Sequence, residues 1–169
     1  MSALSKEQQE LFEFFPETEL PLMLSQDHIL EFSKINAPFP QKFIEEVLLK
    51  WETEIDEYTE FLPCFSLPVQ ENYLPLIYWK GGLMKYEFIL VTVNKSGQLI
   101  SRKPIASTIA EGSIIKQSAA YIDEELQITI IAGQNADGSL YDSSLSQKFS
   151  MEILFNGEIV LLLDDNFNL

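Results

Sequence analysis

Leu83-Met84-Lys85-Tyr86-Glu87-Phe88-Ile89-Leu90-Val91-Thr92-Val93, then Asn94-Lys95-Ser96-Gly97, then Gln98-Leu99-Ile100-Ser101-Arg102-Lys103-Pro104-Ile105: the fold is read from this stretch. Its first part has period two, with Lys85 and Glu87 alternating against Tyr86 and Phe88. That is the signature of a strand, because successive side chains point to opposite faces. From Ile89 to Val93 both faces are apolar or Thr, so this end is expected to be covered on both sides. Asn94 to Gly97 reads as a turn, with Gly97 free to take positive φ. Gln98 to Ile105 then returns as the partner strand, and short connections of this kind give antiparallel pairs.

The same reading extends in both directions. Downstream, Ser113–Ile122 and Glu125–Ala132 form a pair around Asp123-Glu124. Leu126, Ile128 and Ile130 share one side of the second strand. Lys148–Phe155 places Phe149, Met151, Ile153 and Phe155 inward, and Asn156-Gly157 is a strong hairpin signal before Glu158–Leu163. Upstream, Phe61–Leu67 and Leu74–Lys80 are strands interrupted or flanked by Pro63, Pro68 and Pro75, and Gly81-Gly82 reads as the turn into Leu83. About eight short strands joined in sequence predict an antiparallel meander curled into a half-barrel or sandwich.

Residues 1–57 have a different texture. Ser5 caps a helix to Phe15, with Gln8 completing a capping box. Leu20–Leu24 contains Pro21 and is at best an extended edge segment. Asp27–Lys34 is a second helical segment. Gln41–Trp51 is a third helix, with Pro40 at its start and Phe43, Val47, Leu48 and Trp51 at helical spacing. The expectation is therefore one α+β, mainly β domain spanning 1–169: an acidic helical layer over 1–57 and an antiparallel region over 58–163.

The 169 residues carry a net charge of −15. Residues 1–60 hold fourteen acids against four lysines. A field of this sign repels phosphate backbones and anionic lipid surfaces, which argues against nucleic acid and membrane as partners. It favours a basic protein. One cysteine excludes an internal disulfide, and the polar N-terminus lacks a signal-peptide core, so a cytoplasmic location is expected.

No catalytic set is legible. The chain has one histidine, His28, and one cysteine, Cys64, in the apolar run Leu62-Pro63-Cys64-Phe65. A Cys–His dyad or Ser-His-Asp triad would need His28, and no Gly-x-Ser-x-Gly turn is present. One Cys and one His cannot make a standard zinc site. The segment Gly133–Ser139 offers oxygen donors at Asn135, Asp137 and Ser139. On a calcium-loop template, however, Gly133 and Ser144 stand where the two strongest carboxylates belong, so neither metal nor cofactor is expected, and Asp142 adds at most a weak donor. Arg102 with Lys103-Pro104 is too small a basic spot for a nucleic-acid footprint.

Two weak candidate sites remain. Glu45, Glu46, Glu52, Glu54, Asp56, Glu57 and Glu60 form an acidic belt. Within it, Glu46, Glu52 and Glu54 are read as solvated and available to dock a basic partner. The second candidate is a ligand mouth at the sheet end near Tyr78, Trp79 and Tyr86, with Tyr73 and Phe88 close by. The sequence thus favours a non-catalytic interaction protein with an acidic docking surface. The alternative is a small-molecule binder or carboxylate-based enzyme at Tyr78, Trp79 and Tyr86.

Overall fold

The computed structural model describes residues 4–28, 31, 34, 36–136 and 147–162. Along them run α1 (Lys6–Phe12), β1 (Leu22–Leu24), a 3-10 turn (Gln26–His28), α2 (residues 41–51), β2 (Glu60–Ser66), β3 (Leu74–Gly81), β4 (Lys85–Val93), β5 (Leu99–Glu111), β6 (Ile114–Ile122), β7 (Ile128–Ala136), β8 (Gln147–Ile153) and β9 (Ile159–Leu162). The strands form one open antiparallel sheet in the order β2-β3-β4-β5-β6-β7-β8-β9, with β1 added beside β6. The expected meander is therefore present. Parts of the second helical segment, the loop carrying Asp137, Ser139, Asp142 and Ser144, and Leu163 lie outside the described residues.

β5 makes the sheet curl. Its Leu99–Ile109 part pairs with β4, and only Thr108–Glu111 pairs with β6. The Ala120–Ile122 end of β6 pairs instead with Leu24–Leu22 of β1. The two halves of the sheet fold over one core. Phe65, Ile77, Phe88, Leu90 and Ile105 come from one half; Ala120, Ile122, Ile128, Ile130 and Ile159 come from the other. Phe149, Met151 and Ile153 pack against this core as the alternation requires, whereas Phe155 sits in the turn and is exposed.

The opposite face of β3 and β4 holds a second core. Leu74, Leu76, Tyr78, Ile89, Val91 and Val93 meet Leu11, Phe15, Phe39, Phe43, Leu48 and Trp51 from the helical layer. This double cover explains the apolar run Ile89–Val93. Burying side chains of this size contributes about 1.5–3 kcal/mol each.

The capping box at α1 forms as its residues require. Ser5 Oγ accepts from the Gln8 backbone N–H at 3.1 Å, and Gln8 Oε1 accepts from the Ser5 N–H at 3.2 Å. Gln8 is buried and its Nε2 donates to the Asn94 carbonyl at 3.2 Å, tying α1 to the β4–β5 turn. In α2 the stretch Ile44–Leu48 is π-helical. Its wider turn puts Phe43 and Leu48, five residues apart, on the buried side and leaves Val47 only half-buried.

Several boundaries differ from expectation: α1 stops at Phe12, β7 runs over Ile128–Ala136 with Leu126 in the turn before it, and β5 is longer than its expected Gln98–Ile105. β5 continues through Pro104 to Glu111 because the pairing with β4 shifts there: Phe88 faces Ala106 and Ile89 faces Pro104. A bulge is where a strand tolerates proline. The Asp123 turn has the same pattern as those at Asn94 and Leu154, with Asp123 N–H bonded to Gln127 O and Leu126 N–H to Asp123 O. The other two place glycine at positive φ, and this one places Leu126 there at φ 64°. Leu126 is buried in the core, so its apolar contacts offset the backbone strain.

Cys64 is buried in β2, and burial pushes its thiol well above the ordinary value. A disulfide-exchange reagent is therefore expected to titrate it only as the protein unfolds in urea. Immediate reaction in native buffer would contradict this placement.

Candidate functional site

Glu52 is the largest departure from expectation. The sequence reads as placing a solvated rim carboxylate here, but the Glu52 side chain is fully buried. α2 ends at Trp51, and the extended backbone of Glu52 (φ −107°, ψ 146°) turns the side chain onto the sheet. There Glu52 Oε1 accepts from Tyr78 Oη at 2.6 Å and from Arg102 Nε at 2.9 Å. Oε2 accepts from Lys80 Nζ at 2.8 Å and from Arg102 Nη2 at 2.7 Å. Burial alone would raise this carboxyl. The hydrogen bonds from Arg102, Lys80 and Tyr78 outweigh burial and hold it below its ordinary value. Burial and the adjacent Glu52 charge push the Tyr78 phenol up. Both carboxylate oxygens are consumed by donors and the group stays ionised, so Glu52 is a fastener and a poor proton acceptor.

The structure does not assemble Tyr78, Trp79 and Tyr86 into one mouth. Tyr78 and Trp79 are neighbours in β3 and so point to opposite faces. Tyr78 is fully buried under α2, beside Trp51 at 6.2 Å and Phe61 at 6.1 Å between ring centroids. Trp79 and Tyr86 do meet, stacked at 5.7 Å on the other face. Their stack covers Gly81, where a Cβ would fall inside the Trp79 ring. This is packing across a strand pair, with the Trp79 indole N–H buried and, among the described residues, without an acceptor.

The acidic belt divides into separate places. Glu46 lines a groove of about 580 Å³ between α1 and α2. Leu11, Phe14, Phe43 and Val47 floor it, while Glu7, Glu10 and Glu13 rim it beside Glu46, with Lys42 as a cation in the same wall. Phe14 lies 4.5 Å from Phe43 between ring centroids, and Phe43 stacks on Phe39 at 5.1 Å, so the floor is a fixed aromatic surface. Glu54 instead lines a cleft of about 470 Å³ beneath the β3–β4 turn, with Asp56 and Glu87. The α1 rim acids were not singled out from sequence. Their spacing of three on an amphipathic helix was the available signal.

His28 Nδ1 lies 3.0 Å from the Ser25 N–H, a local turn contact. Among the described residues no group of three or more His, Cys, Asp or Glu is placed to hold a metal ion, and no helix is long and apolar enough to cross a membrane. Comparison with known proteins finds no matching family, no similar curated protein and no similar solved structure.

Proposed function

We propose that this protein is a non-catalytic, cytoplasmic binding protein that holds a basic, amphipathic segment of a partner protein in the α1–α2 groove. The observation that supports this reading is the pairing of an apolar floor, Leu11, Phe14, Phe43 and Val47, with the carboxylate rim Glu7, Glu10, Glu13 and Glu46. Apolar anchors supply affinity, and an oppositely charged rim supplies association rate and register. The enzyme alternative has less support, because the carboxylate bonded to Tyr78, that of Glu52, has both oxygens saturated by hydrogen bonds, and Tyr78 is buried away from the Trp79–Tyr86 stack.

A fluorescent amphipathic lysine–leucine peptide tests the reading. The native protein is expected to bind it saturably, and Glu10→Lys combined with Glu46→Lys to weaken binding at least about tenfold at low salt. The gap should narrow as salt rises. A scrambled peptide of equal composition should bind more weakly than the amphipathic one. Equal affinity for both peptides, or for both proteins, would overturn the proposal.

A further inference from the structure

The β3–β4 turn carries exposed apolar side chains. Leu83 and Met84 are each 64 % exposed, and Ile55 beside them is 41 % exposed. All three line the cleft of about 470 Å³ that also contains Glu54, Asp56, Thr59 and Glu87. Apolar side chains gathered at one turn mark a contact surface more often than scattered ones do.

Glu87 gives this cleft a chemical preference. Alternation along β4 places it on the helix-facing side, and it is only 7 % exposed. Among the described residues its side chain receives no hydrogen bond, and its one ion pair is with Lys85 Nζ at 3.8 Å. Lys85 Nζ also lies 3.9 Å from Glu54. One ammonium thus stands between two carboxylates, beyond hydrogen-bond distance of either. The neighbouring cation, Lys80, is already bonded to Glu52 at 2.8 Å. The Glu87 carboxylate thus faces the cleft with its cation 3.8 Å away, and a ligand that brings N–H groups to it makes charge-assisted hydrogen bonds that Lys85 does not.

From this geometry we infer that the cleft is a second binding site, separate from the α1–α2 groove, that takes an arginine side chain from an exposed segment of a partner protein. A guanidinium presents several N–H donors in a planar fork and can serve Glu87 and Glu54 together, which a single ammonium at this distance does not. The aliphatic stem of the arginine lies along Ile55, Leu83 and Met84. Lys85 is the internal cation that the incoming guanidinium displaces. The net acidity of the cleft selects a cationic head, and its apolar lip selects one on a long stem.

The test is a titration of the isotopically labelled full chain with the blocked peptide acetyl-Leu-Arg-Leu-amide, followed by amide chemical shifts. A second titration uses the same peptide with citrulline, which keeps the shape and removes the charge. The arginine peptide is expected to shift Gly82, Leu83, Met84 and Glu87 and to leave the α1–α2 groove unmoved. The citrulline peptide should bind about tenfold more weakly. Glu87→Gln should weaken the arginine peptide to a similar extent. Glu54→Gln, at an exposed side chain that cannot disturb folding, should weaken it a few-fold, and Lys85→Gln should strengthen it a few-fold by removing the competitor. Equal binding of both peptides, weaker binding by Lys85→Gln, or shifts confined to α1 and α2 would each overturn the inference.

Discussion

Glu52→Gln is expected to lower the unfolding free energy by about 3 kcal/mol at neutral pH, the lower end of the cost of breaking a buried ion pair. The substitution keeps the shape and removes the charge that two cations face. Lys80 and Arg102 side chains are 10 % and 25 % exposed, so they remain charged with little water to replace the carboxylate. Partial exposure of Arg102 is why the lower end applies. The amide also puts an NH2 group where one oxygen accepted two bonds, so two of the four bonds are lost, and whichever oxygen is replaced, an Arg102 N–H then meets another donor. Neighbouring Glu54→Gln, at a side chain 82 % exposed, should change stability by no more than about 0.5 kcal/mol. The sign with pH follows from the lowered folded-state value of Glu52. Its contribution is complete above the unfolded carboxylate value and is lost as pH falls through the folded one. Urea unfolding of the native protein and Glu52→Gln should therefore give midpoints well apart at pH 7 that converge in strong acid. Superimposed midpoints at pH 7 would show that the cluster of Glu52, Tyr78, Lys80 and Arg102 does not fasten α2 to the sheet.

Glu52 also shows where sequence reasoning reached its limit. The strands were legible because their signal is local: period two, turn residues and apolar runs recur within a few positions. The helical layer was legible from the capping residues Ser5 and Gln8 and from the spacing in 41–51. The role of Glu52 was not, since it depends on where one residue past a helix end points, and its partners stand 26 to 50 positions away. A signal did exist on the other side of the contact. Leu74, Leu76, Tyr78 and Lys80 occupy one face of a strand covered by helix, and a lysine there demands a counter-ion. Reading Lys80 as a buried cation would have pointed to an acid in the helical layer, though not to which one. Tyr78 and Trp79 failed as a joint site for a simpler reason. They are adjacent in a strand, and alternation alone sends them to opposite faces.

The relation between the two acidic surfaces follows from the same fastening. Glu46 lies on α2, Glu54 lies just beyond it, and the bonded Glu52 between them fixes the chain on the sheet. The ionic contact thus adds to the apolar packing of α2 on the sheet, between the groove and the cleft. Charge changes at either rim leave this contact intact, so binding at the two surfaces can be altered separately.

Gly157→Ala is the second change expected to have a large effect, about 2–3 kcal/mol of destabilisation. Gly157 has φ 94°, a conformation that costs a residue with a Cβ about 1–2 kcal/mol. It is also buried against the rest of the sheet. A Cβ there would lie 2.6 Å from Ile100 Cδ1 and 3.1 Å from Tyr73 Cβ. The Ile100 methyl can rotate away; the Tyr73 Cβ is fixed to its backbone and cannot. Overpacking of this kind adds further cost. Any shift of the turn also strains the bond from Thr92 Oγ1 to the Gly157 carbonyl, 2.6 Å long and buried. That bond and the Ile159 N–H donated to Ser101 Oγ at 3.2 Å join the last hairpin to β4 and β5 across the mouth of the curl. Gly112→Ala separates the two causes. Gly112 has φ 62°, but nothing lies within 4 Å of its added Cβ, so that variant carries the backbone cost alone. Thermal and urea unfolding should rank the proteins native, Gly112→Ala, Gly157→Ala in falling stability. If the two variants are equally destabilised, the β8–β9 turn is not seated tightly on Tyr73 and Ile100, and the last hairpin is held to the sheet by its core contacts alone.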